Sequence, residues 1–272
     1  MEPRRLDDYQ GWQVRLGGAS LLVDPWLTPE PITGSFDRQH TAGFITPALL
    51  ADEGAAAIGV LLCTHVSDHA RPMTLSLLRE VPVYGPPRAS RVARRAGCRR
   101  THAVRPGASI TMACPDGSRL QVTVTRTGLP LGLIAVGYLI EGRDPDGVTV
   151  GRIWIEPHQP TARVARQQAS VDVALLPWSS VRAVVMPVTA GPAAVARAGA
   201  AAGAAVLVPT ATEPERDMTR WQRALYAVRG GVPATRALLG APTQLVVLAA
   251  GASLDLASVR AGAAVTGDAA GE

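Results

Sequence analysis

The chain has 272 residues, of which 47% are hydrophobic and 18% charged, and it carries a formal net charge of +5. This balance is typical of a soluble globular protein with a substantial buried core. No apolar run reaches the roughly 18–20 residues of a membrane-spanning helix, and the first residues lack a secretory signal, so we expect a cytoplasmic protein without a membrane partner.

The positive charge is weak evidence for an anionic partner. The sequence contains no lysine and no asparagine, and it is rich in alanine, glycine and proline, which indicates a bias in genome composition. A predicted helix at 87–96 places Arg88, Arg91 and Arg95 on one face, where they form either a phosphate-binding stripe or, as we expect, a solvated face. Nucleic acid is therefore not an expected partner. Three cysteines at unrelated spacings predict no disulfide framework.

Alternating strands at 12–18 and 20–24 predict a β-hairpin, and the second strand ends in Asp24-Pro25. From its position alone, Asp24 is predicted to form an Asx-turn. Residues 28–45 are rich in Pro, Gly and Thr and predict a loop near the mouth of a site. The single histidine there, His40, is expected to be solvated.

Residues 57–69 contain the most informative pattern in the chain. An apolar run typical of a strand buried on both faces ends in His65, Asp68 and His69, and a helix is predicted at 71–80. Reacting groups in layered α/β proteins gather at such strand ends. Imidazole and carboxylate ligands suit zinc, iron or manganese, so this cluster is a candidate start of a metal site.

Two further hairpins are predicted, around the turns at 115–118 and 144–147. The last of these strands ends in Glu156-Pro157-His158, a second carboxylate and imidazole at a strand end. Beyond it, the pattern predicts strands at 171–177 and 204–209 and a short strand or loop at 181–188. Helices are predicted at 191–202, which is rich in alanine, and at 216–228. Closing strands are predicted at 243–249 and 253–256.

Thr64-His65, followed by Asp68-His69, resembles the Thr-His-x-His-x-Asp-His signature of the metallo-β-lactamase fold superfamily, with Ser67 in place of its second histidine. Asp24 matches an aspartate that in the superfamily supports the site loop. Glu156-Pro157-His158 resembles a branch of the superfamily that has Glu-Pro-His in place of the usual Gly-Asp. That branch has a further histidine where this chain has Arg71. No histidine follows His158.

The resemblance implies an α/β (α+β) fold, a four-layer αββα sandwich formed by a single domain at 1–259, with a flexible tail at 260–272. It implies a hydrolase-like protein with an incomplete metal site, holding at most one zinc ion and acting on a small ester, lactone, thioester or phosphoester. The candidate metal ligands are His65, Asp68, His69 and His158, and the candidate general bases are Asp68 and Glu156.

A second interpretation stays open. Asp68 and His69 would only cap the following helix, and Glu156 and His158 would support the same loop, in a metal-free ligand-binding or scaffolding protein. The guanidinium of Arg71 near the pocket favours a carboxylate or phosphate ligand, so a small anionic molecule is a further candidate partner.

Overall fold

The computed structural model describes residues 1–7, 9–28, 56–168, 170–210 and 224–262. The predicted loop at 28–45 with His40, most of the helix predicted at 216–228, and the tail beyond residue 262 lie outside these ranges. Among the described residues, no helix has the length and hydrophobicity needed to cross a membrane.

Sixteen strands are described. They are β1 Glu2–Arg5, β2 Trp12–Leu16, β3 Ala19–Val23, β4 Ala56–Leu61, β5 Val83–Gly85, β6 Thr101–Ala103, β7 Ser109–Ala113, β8 Arg119–Arg126, β9 Val136–Arg143, β10 Thr149–Ile155, β11 Val173–Leu176, β12 Ser179–Ala183, β13 Met186–Pro187, β14 Val206–Pro209, β15 Tyr226–Gly230 and β16 Gln244–Leu245. The helices described are α1 Pro72–Leu77, α2 Pro87–Arg95, α3 Ala162–Gln168, α4 Pro192–Ala201, α5 Val232–Leu238 and α6 Leu256–Arg260, with a 3-10 turn at Leu131–Leu133.

The strands form two main sheets of related design. The first has the order β1-β2-β3-β4-β5-β6, and the second has the order β16-β14-β11-β10-β9-β8-β7. In each sheet, the strands that come first in the sequence are antiparallel and the later ones are parallel. The first parallel pair is β3 with β4 in the first sheet and β10 with β11 in the second. This matches the two β-rich halves that the hairpins predicted.

The sheets pack face to face around a shared apolar core, which includes Val14 and Leu61 of the first sheet and Tyr138 and Ile153 of the second. The outer face of the first sheet is covered by α1 and α2, which bury Leu75 and other side chains there. The outer face of the second is covered by α3 and α4 around Trp154. The order of layers is therefore α, β, β, α, as the sequence predicted.

The remaining strands, β12, β13 and β15, form a small third sheet in the order β13-β12-β15. The helix predicted at 216–228 is wrong over its last residues, because Tyr226–Gly230 pairs along its whole length with β12. The closing strand predicted at 253–256 is also wrong. Ser253 makes only an isolated bridge to Arg4, and Asp255 accepts hydrogen bonds from the backbone N–H groups of Ala257 and Ser258, so that a helix begins there.

Candidate functional site

The ends of β4 and β10 bring two histidines from different sheets into contact. The Nε2 atoms of His69 and His158 lie 3.1 Å apart, although 89 positions separate the residues in the sequence. The rings are stacked, with centroids 4.7 Å apart and planes inclined by 29°. Both histidines are buried. The two strand-end motifs found in the sequence therefore form one site.

Asp24 holds His69 in place from the end of β3. Its Oδ1 accepts a hydrogen bond from the backbone N–H of Cys63 (2.8 Å), and its Oδ2 lies 2.7 Å from His69 Nδ1. The backbone φ of Asp24 is +44°, a conformation that aspartate and asparagine tolerate better than most residues. Because a carboxylate only accepts, the proton of His69 is on Nδ1 and its Nε2 faces His158.

The electrostatic environments of the two imidazoles differ. Burial opposes a charge on His69, but the attraction of Asp24 and Asp68 outweighs it and raises the pKa of His69. Burial, together with the charge of His69, lowers the pKa of His158 to about 3. His158 is therefore a neutral imidazole over the whole physiological range.

Asp68 lies beside the histidine pair and is held by two residues that the sequence patterns did not single out. The hydroxyl of Tyr9 donates to Asp68 Oδ2 (3.1 Å), and the side-chain amide of Gln10 donates to the main-chain oxygen of Asp68 (3.0 Å). Asp68 Oδ2 is 3.8 Å from His69 Nε2. The other oxygen, Oδ1, is buried and accepts no hydrogen bond from the described residues. Tyr9 and Gln10 precede a strand in an otherwise ordinary segment, which carries no chemical signal.

Glu156 lies behind the site rather than in it. It is fully buried, and its Oε1 accepts hydrogen bonds from the backbone N–H groups of His158 (3.0 Å) and Gln159 (3.2 Å). Burial raises the pKa of Glu156 to about 7. This carboxyl group supports the loop that presents His158, which is the role given to it by the second of the two sequence interpretations.

Neither His65 nor Arg71 lines the two pockets beside the histidine pair. His65 is partly buried and lines neither of the two pockets described below; burial and then the charge of Arg88 lower its pKa. Arg71 is buried, and its guanidinium stacks 3.2 Å from the centre of the Trp26 ring. In the described part of the chain, neither pocket has an arginine among its lining residues. Arg71 is therefore not positioned in either pocket to bind an anionic ligand, as its place in the sequence had suggested.

Two pockets meet at Asp68, His69 and His158. The larger has a volume of about 190 Å³ and the smaller about 70 Å³. Besides the shared residues, the larger is lined mainly by apolar side chains, including Val66, Leu131, Ile134, Ala135, Ala183 and Met186. The smaller has a larger share of hydroxyl and amide groups, from Tyr9, Gln10, Ser179, Thr189 and Thr210. The small third sheet forms part of the wall of both.

Comparison with known proteins gives structural similarity only. No family model and no curated protein matches the chain. Among solved structures, an isothiocyanate hydrolase from Delia radicum gut bacteria has a TM-score of 0.63 at 15% identity, with 93% of this chain and 98% of that one covered. The metallo-β-lactamase fold protein YhfI from Bacillus subtilis has a TM-score of 0.58 at 13% identity, with 93% and 98% covered.

The chain has the metallo-β-lactamase fold. A third structure agrees: the metallo hydrolase Igni18 from the archaeon Ignicoccus hospitalis has a TM-score of 0.52 at 15% identity, with 93% of this chain and 97% of that one covered. At these identities the likeness establishes the metallo-β-lactamase fold and leaves the reaction to be argued from the site. The fold places the strand ends of both sheets at one edge, which is where His69 and His158 meet.

Proposed function

We propose that this chain is a hydrolase that uses at most one metal ion and acts on a small ester, lactone, thioester or phosphoester. The observation that carries the proposal is the 3.1 Å approach of the two Nε2 atoms of His69 and His158 in the wall shared by both pockets. Two imidazole nitrogens that face each other at the base of a largely apolar cleft are an arrangement suited to a catalytic metal.

The donor geometry fits one zinc ion. Two Zn–N bonds of about 2.0–2.1 Å at a tetrahedral angle place their nitrogens roughly 3.3–3.4 Å apart, close to the distance between the two imidazoles. As they stand, no three His, Cys, Asp or Glu side chains among the described residues converge on one point. A rotation of Asp68, whose Oδ1 has no hydrogen bond, would supply the third ligand.

An ion held by His69, His158 and Asp68 would supply a bound water of lowered pKa and would polarise the carbonyl or phosphoryl oxygen. The protein's own groups orient the residues that would hold the ion. Asp24 keeps the proton of His69 on Nδ1, and Tyr9 and Gln10 hold Asp68 at the junction of the pockets. The Asp68 oxygen that does not hold the ion could then act as the general base. The apolar wall limits competing water.

A metal-free ligand-binding protein is the second candidate function, and one observation favours it. The raised pKa of His69 allows its imidazolium to donate to both Asp24 and the neutral His158, which would satisfy the pair without an ion. This arrangement keeps the pockets but supplies no activated water.

The test is to assay the purified full chain against a panel of small esters, lactones, thioesters and phosphoesters, first loaded with zinc and then treated with a chelator. We expect hydrolysis of at least one class, lost on chelation and restored by zinc. Equal turnover with and without chelator would reject the role of the metal and leave a metal-free hydrolase. No turnover of any class by folded, zinc-loaded protein would reject the proposal in favour of the second candidate.

A further inference from the structure

The larger pocket is suited to an unbranched apolar chain. Its volume of about 190 Å³ exceeds the roughly 150 Å³ of an apolar cavity that holds benzene, so it has room for a chain of roughly four to six carbons. Leu131 and Ile134 approach from the 3-10 turn, and Ala183 and Met186 approach from the β12–β13 hairpin. Apart from Asp68, His69 and His158, none of the described residues that line this pocket carries a charge.

Exposed apolar side chains flank the lining residues of this pocket in the sequence. Leu129 and Leu133, on either side of Leu131, are 75% and 81% exposed. Val184 and Val185, between Ala183 and Met186, are 70% and 77% exposed. The two segments that supply the apolar wall therefore also expose large apolar side chains.

The smaller pocket is also mostly apolar, but it is much smaller and has more hydroxyl and amide side chains among its lining residues. Thr210 and Trp178 both line it, and the Thr210 hydroxyl and the Trp178 indole N–H are buried without a hydrogen-bond partner among the described residues. An unpaired buried polar group costs about 1–3 kcal/mol, so a side-chain rotation that lets a ligand pair with these groups would increase affinity. The pocket of about 70 Å³ holds only a short group. Asp68 on its edge disfavours an anion, and no arginine lines it to compensate.

We propose that the substrate is an uncharged ester or thioester with two unlike sides: an unbranched apolar chain in the larger pocket and a short hydroxyl-bearing group in the smaller one. Its carbonyl lies between them, at His69 and His158. This inference rests on the proposed hydrolysis. Water supplies the hydroxyl of the acid product as the C–O or C–S bond breaks, and its remaining proton passes to the alcohol or thiol that leaves.

Binding can be measured apart from turnover with amides, which are intrinsically less reactive toward hydrolysis than esters. N-(2-hydroxyethyl) alkanamides with acyl chains of increasing length would be titrated into the full chain by calorimetry. Each buried methylene contributes about 0.8 kcal/mol, so we expect affinity to rise about fourfold per methylene up to roughly six carbons and more slowly beyond. Alkanoate anions of equal length should bind more weakly.

The matched variants are Ala183→Phe, which fills the larger pocket, and Ala113→Phe, which adds the same group to an exposed position on β7. Ala183→Phe should remove the rise in affinity with acyl-chain length for all but short chains. Ala113→Phe should leave that rise unchanged. Hydrolysis of 2-hydroxyethyl alkanoates and of alkyl glycolates then shows which side of the ester the chain occupies.

The outcomes separate the two proposals. Chain-length-dependent binding that Ala183→Phe abolishes supports the placement of an apolar chain in the larger pocket even if no ester is cleaved, in which case the proposed hydrolysis fails. Hydrolysis whose rate and affinity are independent of chain length, or tighter binding of alkanoate anions than of the amides, overturns the inference and leaves the proposed hydrolysis standing.

Discussion

Replacing Asp24 by asparagine tests how the site is oriented. Asparagine has the same shape and tolerates the positive φ of this position, so the backbone need not change. Its side-chain oxygen would keep the hydrogen bond from the Cys63 N–H, which turns the amide NH₂ group toward His69 Nδ1. Two donors would then face each other unless His69 moves its proton to Nε2.

That change of tautomer removes the lone pair that faces His158. Loss of a partner that orients a metal-binding histidine lowers metal affinity about 10- to 100-fold, which corresponds to about 1.4–2.7 kcal/mol. Loss of a hydrogen bond to a charged group also lowers the free energy of unfolding by about 1.5–3 kcal/mol. Asp24→Asn should therefore bind zinc at least tenfold more weakly and unfold at a lower urea concentration.

The assay is competition for zinc with a chromogenic chelator, with ¹⁵N NMR of the imidazoles to identify the tautomer of His69. Asp172→Asn is the matched control, because Asp172 also accepts a backbone N–H, from Arg152 (2.7 Å), but lies near the opposite ends of β10 and β11. Zinc affinity of a folded Asp24→Asn variant within twofold of the unchanged protein would refute the orienting role of Asp24.

Three further predictions concern other parts of the chain. His158→Ala should abolish zinc binding, whereas His102→Ala, which removes a ring stacked on Tyr84, should leave it intact; equal affinities in a chelator competition would contradict this. Replacing the three arginines on one face of α2 by glutamine should leave any activity nearly unchanged, and a large, salt-dependent loss of nucleic-acid binding in a filter assay would show that the face is functional. Gly137→Ala should lower the free energy of unfolding by about 1–3 kcal/mol, because its Cβ would lie 2.7 Å from the Ile155 carbonyl oxygen; Gly240→Ala, with open space around it, should be neutral in urea unfolding.

The fold was predictable because its main strands have strong local patterns. The alternating hairpin of β7 and β8 and the apolar runs that end at Cys63 and Ile155 are specified by residues close together in the sequence. The elements that lack a strong local pattern were not predictable. Tyr226–Gly230 is a strand only because β12 supplies its partners, and the short helix α6 depends on one cap, Asp255.

The site was predictable in its centre and not at its edges. His69 and His158 stand out because each follows an apolar strand, and the resemblance to the superfamily places those strand ends together. Tyr9 and Gln10 carry no such signal, since only the folded chain brings them to Asp68. As a carboxylate at a strand end, Glu156 has the sequence signal of a catalytic residue. Only the folded chain shows that it lies behind the loop and accepts hydrogen bonds from the loop's backbone.

The most direct measurement is a zinc titration of chelator-treated full chain by calorimetry, with the metal content of the loaded protein measured by mass spectrometry. If His69, His158 and Asp68 share one ion, the titration should show a single site with one zinc per chain, and metal content should return to zero after chelation. Two tightly bound zinc ions per chain, or no binding at micromolar zinc by folded protein, would contradict the single-ion site.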